Sequence, residues 1–142
     1  MRQLLSNAIL VSVLASVFGV SIAFTVESET DEVKKVASSW VALVDSGKYS
    51  ESWDQTAHSF KEHVTKEQWE NAMNQFRSPL GKLESRDIMS AAYTNTLPGA
   101  PDGDYVVIQY KTSFEKKKSS VETLTSMKEE DGQWKVAGYF IK

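Results

Sequence analysis

The chain has 142 residues, no cysteine and a formal net charge of −3 at pH 7. This length suits one domain, and 41% hydrophobic with 25% charged residues is ordinary for a globular protein. The negative charge argues against nucleic acid as a partner, because phosphate binding requires a basic face. Without cysteine the domain gains nothing from disulfides and cannot be a lipid-modified lipoprotein, so its hydrophobic core must hold it together.

The N-terminus predicts a signal peptide. Arg2 precedes an apolar stretch over residues 8–20, and Ser-Ile-Ala at 21–23 has the small-x-small pattern that signal peptidase reads. An uncleaved membrane anchor is the alternative, but the apolar stretch is shorter than the roughly twenty residues that a spanning helix needs. We expect cleavage before Phe24, an exported protein in the bacterial periplasm or outside the cell, and no stable membrane span afterwards. The expected division is a signal peptide over 1–23 and a single α+β domain over 24–142.

Three amphipathic helices are predicted at the start of this domain. Thr30 caps the first, which ends at Gly47. Ser50 caps the second, whose apolar side is expected to run through Trp53, Ala57, Phe60 and Val64. A capping box over residues 65–68 starts the third, which ends before Pro79.

After Gly81 the hydrophobic period changes from 3.6 to 2, which predicts strands. The first strand is expected over 83–96, the second within 104–114, the third near 121–128 and the last over 134–141. In the second, one face carries Val106, Ile108, Tyr110, Thr112 and Phe114. The fold class is therefore α+β, with three N-terminal helices packed on a curved four-stranded antiparallel sheet.

Four blocks of sequence carry a family resemblance: WVALVDSGKYSESWDQ, VTKEQWENAMNQFRSPLGKLESR, LPGAPDGDYVVIQYKTSF and DGQWKVAGYFIK. In this order they resemble the bacterial exported proteins grouped as domain-of-unknown-function family 4019. The resemblance implies a cone-shaped fold similar to nuclear transport factor 2 and to cystatins. It implies no reaction, cofactor or catalytic residue.

The two histidines, His58 and His63, lie five residues apart. On one helix they point about 140° away from each other, so they cannot share a metal ion in the way that an i, i+4 pair does. Neither a metal nor another cofactor is expected. Asp54 and His58 do stand at i, i+4, which could orient an imidazole, although a solvated pair on a helix surface is the more common outcome.

Asp87 is the stronger candidate for acid-base chemistry. In a regular strand it shares a face with Leu83, Met89, Ala91 and Tyr93, which would put a carboxylate among apolar neighbours and favour a general base. Tyr93 or Tyr110 could then donate a proton. The alternative is a bulge or a one-residue slip that turns Asp87 outward, since the other face of the strand also carries apolar residues.

Aromatic residues offer a choice between core and pocket. The candidates for lining a ligand pocket are Trp40, Trp53, Trp69, Tyr110 and Trp134. A cone-shaped fold can leave its wide end unfilled, and small apolar ligands favour aromatic walls.

Two loops are further candidate sites. The lysines at 116–118 fall at a hairpin tip, where charges are normally solvated. The loop PGAPDG either borders the open end of the cone or forms a rigid turn.

Two functions follow as hypotheses. The first is a non-catalytic binding or interaction module for a small apolar ligand or an envelope protein, which could also form a homodimer through its sheet. The second is a small lyase, isomerase or hydrolase that uses a carboxylate in the pocket. A closed interior would remove the enzyme hypothesis and leave recognition at the surface; the residues favour the non-catalytic module but leave the question of an enzyme open.

Overall fold

The computed structural model describes residues 18–142, with side chains from residue 26 onward. The helices are α1 (Phe18–Asp45), α2 (Tyr49–Asp54), α3 (His58–His63) and α4 (Lys66–Phe76), and a 3-10 turn follows at Ser78–Leu80. The strands are β1 (Leu83–Thr94), β2 (Tyr105–Phe114), β3 (Lys117–Lys128) and β4 (Trp134–Ile141). They form one antiparallel sheet in the order β1-β2-β3-β4, which confirms the predicted α+β meander.

Helix α1 begins earlier than predicted. Thr30 was expected to cap it, but this residue lies inside the helix and its hydroxyl donates to the Val26 carbonyl oxygen at 2.8 Å. A hydroxyl bonded to the carbonyl four residues back is how threonine is accommodated within a helix. The described helix therefore runs through the expected cleavage position before Phe24, while residues 1–17 of the predicted signal peptide lie outside the described residues. Within residues 18–142, no helix combines the length and the apolar character needed to cross a membrane.

The predicted second helix is two short helices, α2 and α3. Between them Thr56 forms a parallel bridge with Val136 of β4, and the Ala57 N–H donates to the Val136 carbonyl oxygen at 2.8 Å. Ala57 is extended, with ψ at 153°. An edge strand presents unpaired backbone groups, so pairing with it competes with helix continuation here.

Helix α4 begins as the sequence predicts. The Thr65 hydroxyl accepts from the Gln68 N–H at 3.1 Å, and the Gln68 side chain accepts from the Thr65 N–H at 2.9 Å. This reciprocal pair satisfies two N–H groups that the first turn would otherwise leave unbonded. The turn after α4 ends at Gly81, whose φ of 77° is a conformation that L side chains rarely adopt.

The core lies between α1 and one face of the sheet. The predicted inner face of β2 is confirmed, since all five of its residues are buried. Helix α1 fills the space above it with Val33, Ala37, Trp40, Val41 and Val44. Trp40 is only 2% exposed and Ile108 is fully buried, so the space between α1 and the sheet is packed with side chains.

Strand β1 is irregular. Its pairing with β2 shifts twice, between Leu83 and Ser85 and between Ile88 and Ser90. Asp87 lies opposite Lys111 and is exposed, so the expectation that it sits among apolar neighbours is wrong. The shift at Ile88 is the reason, because a bulge changes which residues share a face.

Candidate ligand-binding site

An apolar cleft lies between α4 and the C-terminal half of β4, and we call it the α4–β4 cleft. Its volume is about 410 Å³. Small-molecule sites commonly measure about 300–1,000 Å³ and are lined mainly by hydrophobic and aromatic side chains. The lining residues are Trp69, Ala72, Met73, Phe76, Leu80, Lys117, Tyr139, Phe140 and Ile141.

Helical and strand periodicity together build this lining. Trp69, Ala72, Met73 and Phe76 fall on one side of α4 at spacings of three and four residues. Tyr139 and Ile141 lie opposite Leu124 and Glu122 in the register of β3 and β4, so they point to the helix side of the sheet.

Two phenylalanines at the cleft are unusually exposed. Phe76 is 62% exposed and Phe140 is 54% exposed, although most of the other aromatic side chains in the domain are buried or partly buried. Large apolar side chains grouped at a cleft mark a surface that gains free energy when another apolar group covers it.

The floor of the cleft is a rigid aromatic cluster. The ring of Trp40 lies 5.8 Å from Trp69 and 5.3 Å from Tyr139, measured between centroids, and Phe60 meets Trp69 edge-to-face at 5.4 Å. Both indole N–H groups donate to Ser52, Trp40 to its carbonyl oxygen at 2.8 Å and Trp69 to its hydroxyl at 2.9 Å. The floor therefore keeps its polar groups paired internally and presents apolar ring surface to the cleft.

Behind the floor lies a buried ionic network of Arg86, Asp45, Arg77 and Glu122. Arg86 donates through Nε to Glu122 Oε1 at 2.7 Å and through NH1 to Asp45 Oδ2 at 2.7 Å. Arg77 also donates to Asp45, at 3.1 Å. Glu122 is fully buried and accepts further hydrogen bonds from the hydroxyls of Thr112 and Tyr139.

The pKa values of this network follow from its contacts. Burial alone lowers the pKa of the Arg86 guanidinium, but hydrogen bonds to Asp45 and Glu122 outweigh that effect and raise it overall. Burial also raises the pKa of Tyr139 well above its ordinary value of 10, and the charge of Glu122 and the hydrogen bond to it act in the same direction. Tyr139 therefore stays a neutral hydroxyl donor, and the network holds its ring against the cleft.

This network is built for structure rather than acid-base chemistry. Both carboxylate oxygens of Glu122 accept hydrogen bonds from protein donors, and Arg86 is shared between two carboxylates. A general base must reach a substrate proton. Glu122 has no exposed surface through which it could do so.

The predicted catalytic candidates do not come together. Asp87 and Tyr110 lie on opposite faces of the sheet, because Asp87 pairs with Lys111 while Tyr110 is buried on the helix side. The Tyr110 hydroxyl has no hydrogen-bond partner among the residues whose side chains are described. Tyr93 donates instead to exposed Asp104, and that hydrogen bond raises its pKa.

Of the predicted aromatic lining, Trp69 faces the cleft. Trp40, Tyr110 and Trp134 belong to the core, although the Trp40 ring supports the cleft floor. Trp53 is half-buried, donates to the Val64 carbonyl oxygen at 2.8 Å, and has the ammonium groups of Lys61 and Lys66 each 5.2 Å from its ring centroid.

The Asp54–His58 pair does not form, because the helix breaks between the two residues. Asp54 pairs with Lys66 at 2.7 Å, and His58 lies 3.2 Å from Glu62. His63 contacts the Ser59 carbonyl oxygen through Nδ1 at 2.7 Å. Within the described part of the chain, no group of three or more His, Asp or Glu side chains is arranged to hold a metal ion.

The loop at 97–101 rims a second cavity, of about 430 Å³. Its walls include Phe60 and His63 from the α3 side and Tyr105, Thr125 and Met127 from the sheet. The loop therefore borders an opening, which was one of the two alternatives that the sequence left for it. This opening lies beside α3 and not over the core beneath α1.

Sequence reasoning missed Phe76, Phe140 and Lys117 as cleft residues. Phe76 falls on the apolar side of α4 together with Trp69 and Met73, and that spacing predicts burial. Phe76 is nevertheless 62% exposed, which depends on the tertiary arrangement and not on the local pattern. The two partners of Arg86, Asp45 and Glu122, are 41 and 36 residues away along the chain, so no local pattern shows this network.

Helices packed on one face of an antiparallel meander, with an apolar cleft between α4 and β4, define a small α+β domain. A family model described as "Protein of unknown function (DUF4019)" matches residues 36–139. The chain belongs to this family, as its sequence blocks predict. A search of curated proteins returned no match.

Proposed function

We propose that this protein is an exported, non-catalytic binding module that holds a small apolar ligand in the α4–β4 cleft. The observation that carries the proposal is the combination of an open apolar cleft of about 410 Å³ with exposed Phe76 and Phe140 at its border. The packed interior supports recognition at this surface, because the space between α1 and the sheet holds side chains instead of a buried substrate chamber.

The affinity of such a site comes from apolar contact. Each methylene group removed from water stabilises the complex by about 0.8 kcal/mol. The rings of Trp69 and Tyr139 already meet edge-to-face, with 6.5 Å between their centroids, and a floor packed in this way lowers the entropic cost of association.

The proposed export agrees with the position of the core along the chain. Val33 is the first buried residue among those whose side chains are described. Cleavage before Phe24 would also leave Glu29, whose carboxylate pairs with Lys128 at 2.5 Å and ties the N-terminal part of α1 to β3.

A titration with the neutral fluorophore N-phenyl-1-naphthylamine tests the proposal. We expect saturable binding that the variant Ala72→Trp abolishes, because a large ring at this lining position fills the cleft. Gln75→Trp is the matched control, since Gln75 is exposed on the same helix three residues later and is not part of the lining. No binding to the wild-type protein, or equal binding to Ala72→Trp and wild type, would refute the proposed site.

A further inference from the structure

We propose that the α4–β4 cleft selects single-chain amphiphiles that end in an acid group, and that Lys117 binds this group. The inference rests on the proposed function and names the class of ligand. Lys117 is the charged member of an otherwise apolar lining, apart from the Tyr139 hydroxyl that Glu122 already engages. An apolar wall with one cation at its end is complementary to a hydrocarbon chain that carries an anion.

The register of the sheet places Lys117 on the cleft side. Lys117 pairs with Phe114, whose fully buried ring packs on the helix side of β2. Directly opposed residues of an antiparallel pair extend to the same face. The side chain of Lys117 therefore lies on the cleft side of the sheet, where it is part of the lining.

The ammonium of Lys117 is available for a ligand. It makes no salt bridge or side-chain hydrogen bond within residues 26–142, whereas the adjacent Lys118 pairs with Glu84 at 2.6 Å. The carboxylate of nearby Glu115 accepts from the backbone N–H of Lys82 at 3.2 Å. Both acidic side chains close to this hairpin thus have other partners.

Local charge also favours an anion here. Lys116, Lys117 and Lys118 are consecutive in a chain whose net charge is −3. The cleft opens beside this basic hairpin, so an acidic headgroup is attracted where the protein as a whole would repel it. The chain of the ligand supplies most of the affinity, and the headgroup supplies selectivity.

Calorimetric titration with ligands that share one ten-carbon chain separates these contributions. The probes are decanoate, decanol, decyl phosphate and decyltrimethylammonium, each used below its micelle concentration. We expect decanoate to bind about three- to tenfold more tightly than decanol, because a partly exposed charge pair is worth little more than this. Decyltrimethylammonium should bind most weakly. Decyl phosphate carries a phospholipid-like acid headgroup and should also bind more tightly than decanol, and weaker binding of both anions than of decanol would contradict the inference.

Variants assign the selectivity to one side chain. Lys117→Met should remove the preference for decanoate and leave the affinity for decanol unchanged, since methionine keeps the apolar wall. Lys116→Met is the matched control at an exposed neighbouring position and should keep the preference. Persistence of the preference in Lys117→Met overturns the inference. Equal binding of decanoate and decanol to the wild type also overturns the inference about Lys117, but it leaves the proposed function intact. If none of the four probes binds, the inference and the proposed function are both refuted.

Discussion

Replacing Arg86 with alanine is expected to destabilise the domain severely. The variant leaves Glu122, which has no exposed surface, without its guanidinium partner, and among residues 26–142 Asp45 keeps only the ion pair with Arg77. Removing one partner of a buried ion pair typically costs about 3–5 kcal/mol, because the remaining charge is buried without compensation. Whole domains are stable by only about 5–15 kcal/mol.

Urea unfolding of the wild type and the variant measures this cost. For a domain of this size, each kcal/mol of lost stability lowers Tm by about 4 °C, so a loss of about 3–5 kcal/mol corresponds to a fall in Tm of roughly 12–20 °C. The double variant Arg86→Met with Glu122→Leu is the comparison: it removes the buried carboxylate and should recover part of the loss, while the Thr112 and Tyr139 hydroxyls lose their acceptor. A loss below about 1 kcal/mol for Arg86→Ala, or a double variant as unstable as the single one, would refute the argument that the buried pairing dominates.

Three further predictions concern individual groups. Tyr139→Phe removes a donor to buried Glu122 and should lower the free energy of unfolding by about 1–3 kcal/mol. Tyr110→Phe removes a hydroxyl that has no partner among the described side chains, and it should be nearly neutral. Equal losses for the two variants in urea unfolding would contradict the assigned contacts. Burial raises the pKa of the Tyr139 hydroxyl above its ordinary value of 10, so the unfolded chain loses this proton at a lower pH than the folded protein does. The free energy of unfolding of the wild type should therefore fall as pH rises above about 10, and that of Tyr139→Phe should fall less. An unchanged pH dependence in unfolding measured from pH 9 to about pH 11 would count against this reading. Intact-mass analysis of protein expressed in a bacterium with its full N-terminus should show a chain that begins at Phe24, and a retained N-terminus would reject cleavage there.

The strands could be predicted closely because their signal is local. In β2 the alternation of apolar and polar residues fixes which face is buried, and β4 begins and ends where Trp134 and Ile141 predict. The break between α2 and α3 could not be predicted in this way. It depends on the bridge between Thr56 and Val136, which lie 80 residues apart along the chain, and no local pattern shows that an edge strand will be available there.

The site was less predictable than the fold for the same reason. A regular strand would bury Asp87, but register shifts in β1 turn it outward. Trp69 was identified through its residue type. Phe76, Phe140 and Lys117 lie in separate elements, and only the packing of α4 against the end of the sheet brings them to one cleft.

Amide chemical-shift mapping during titration with decanol tests the central claim most directly. If the α4–β4 cleft holds apolar ligands, the largest changes will fall on α4 between Trp69 and Phe76 and on β4 between Tyr139 and Ile141. Changes centred on the loop at 97–101, or no saturable change at all, would contradict the account.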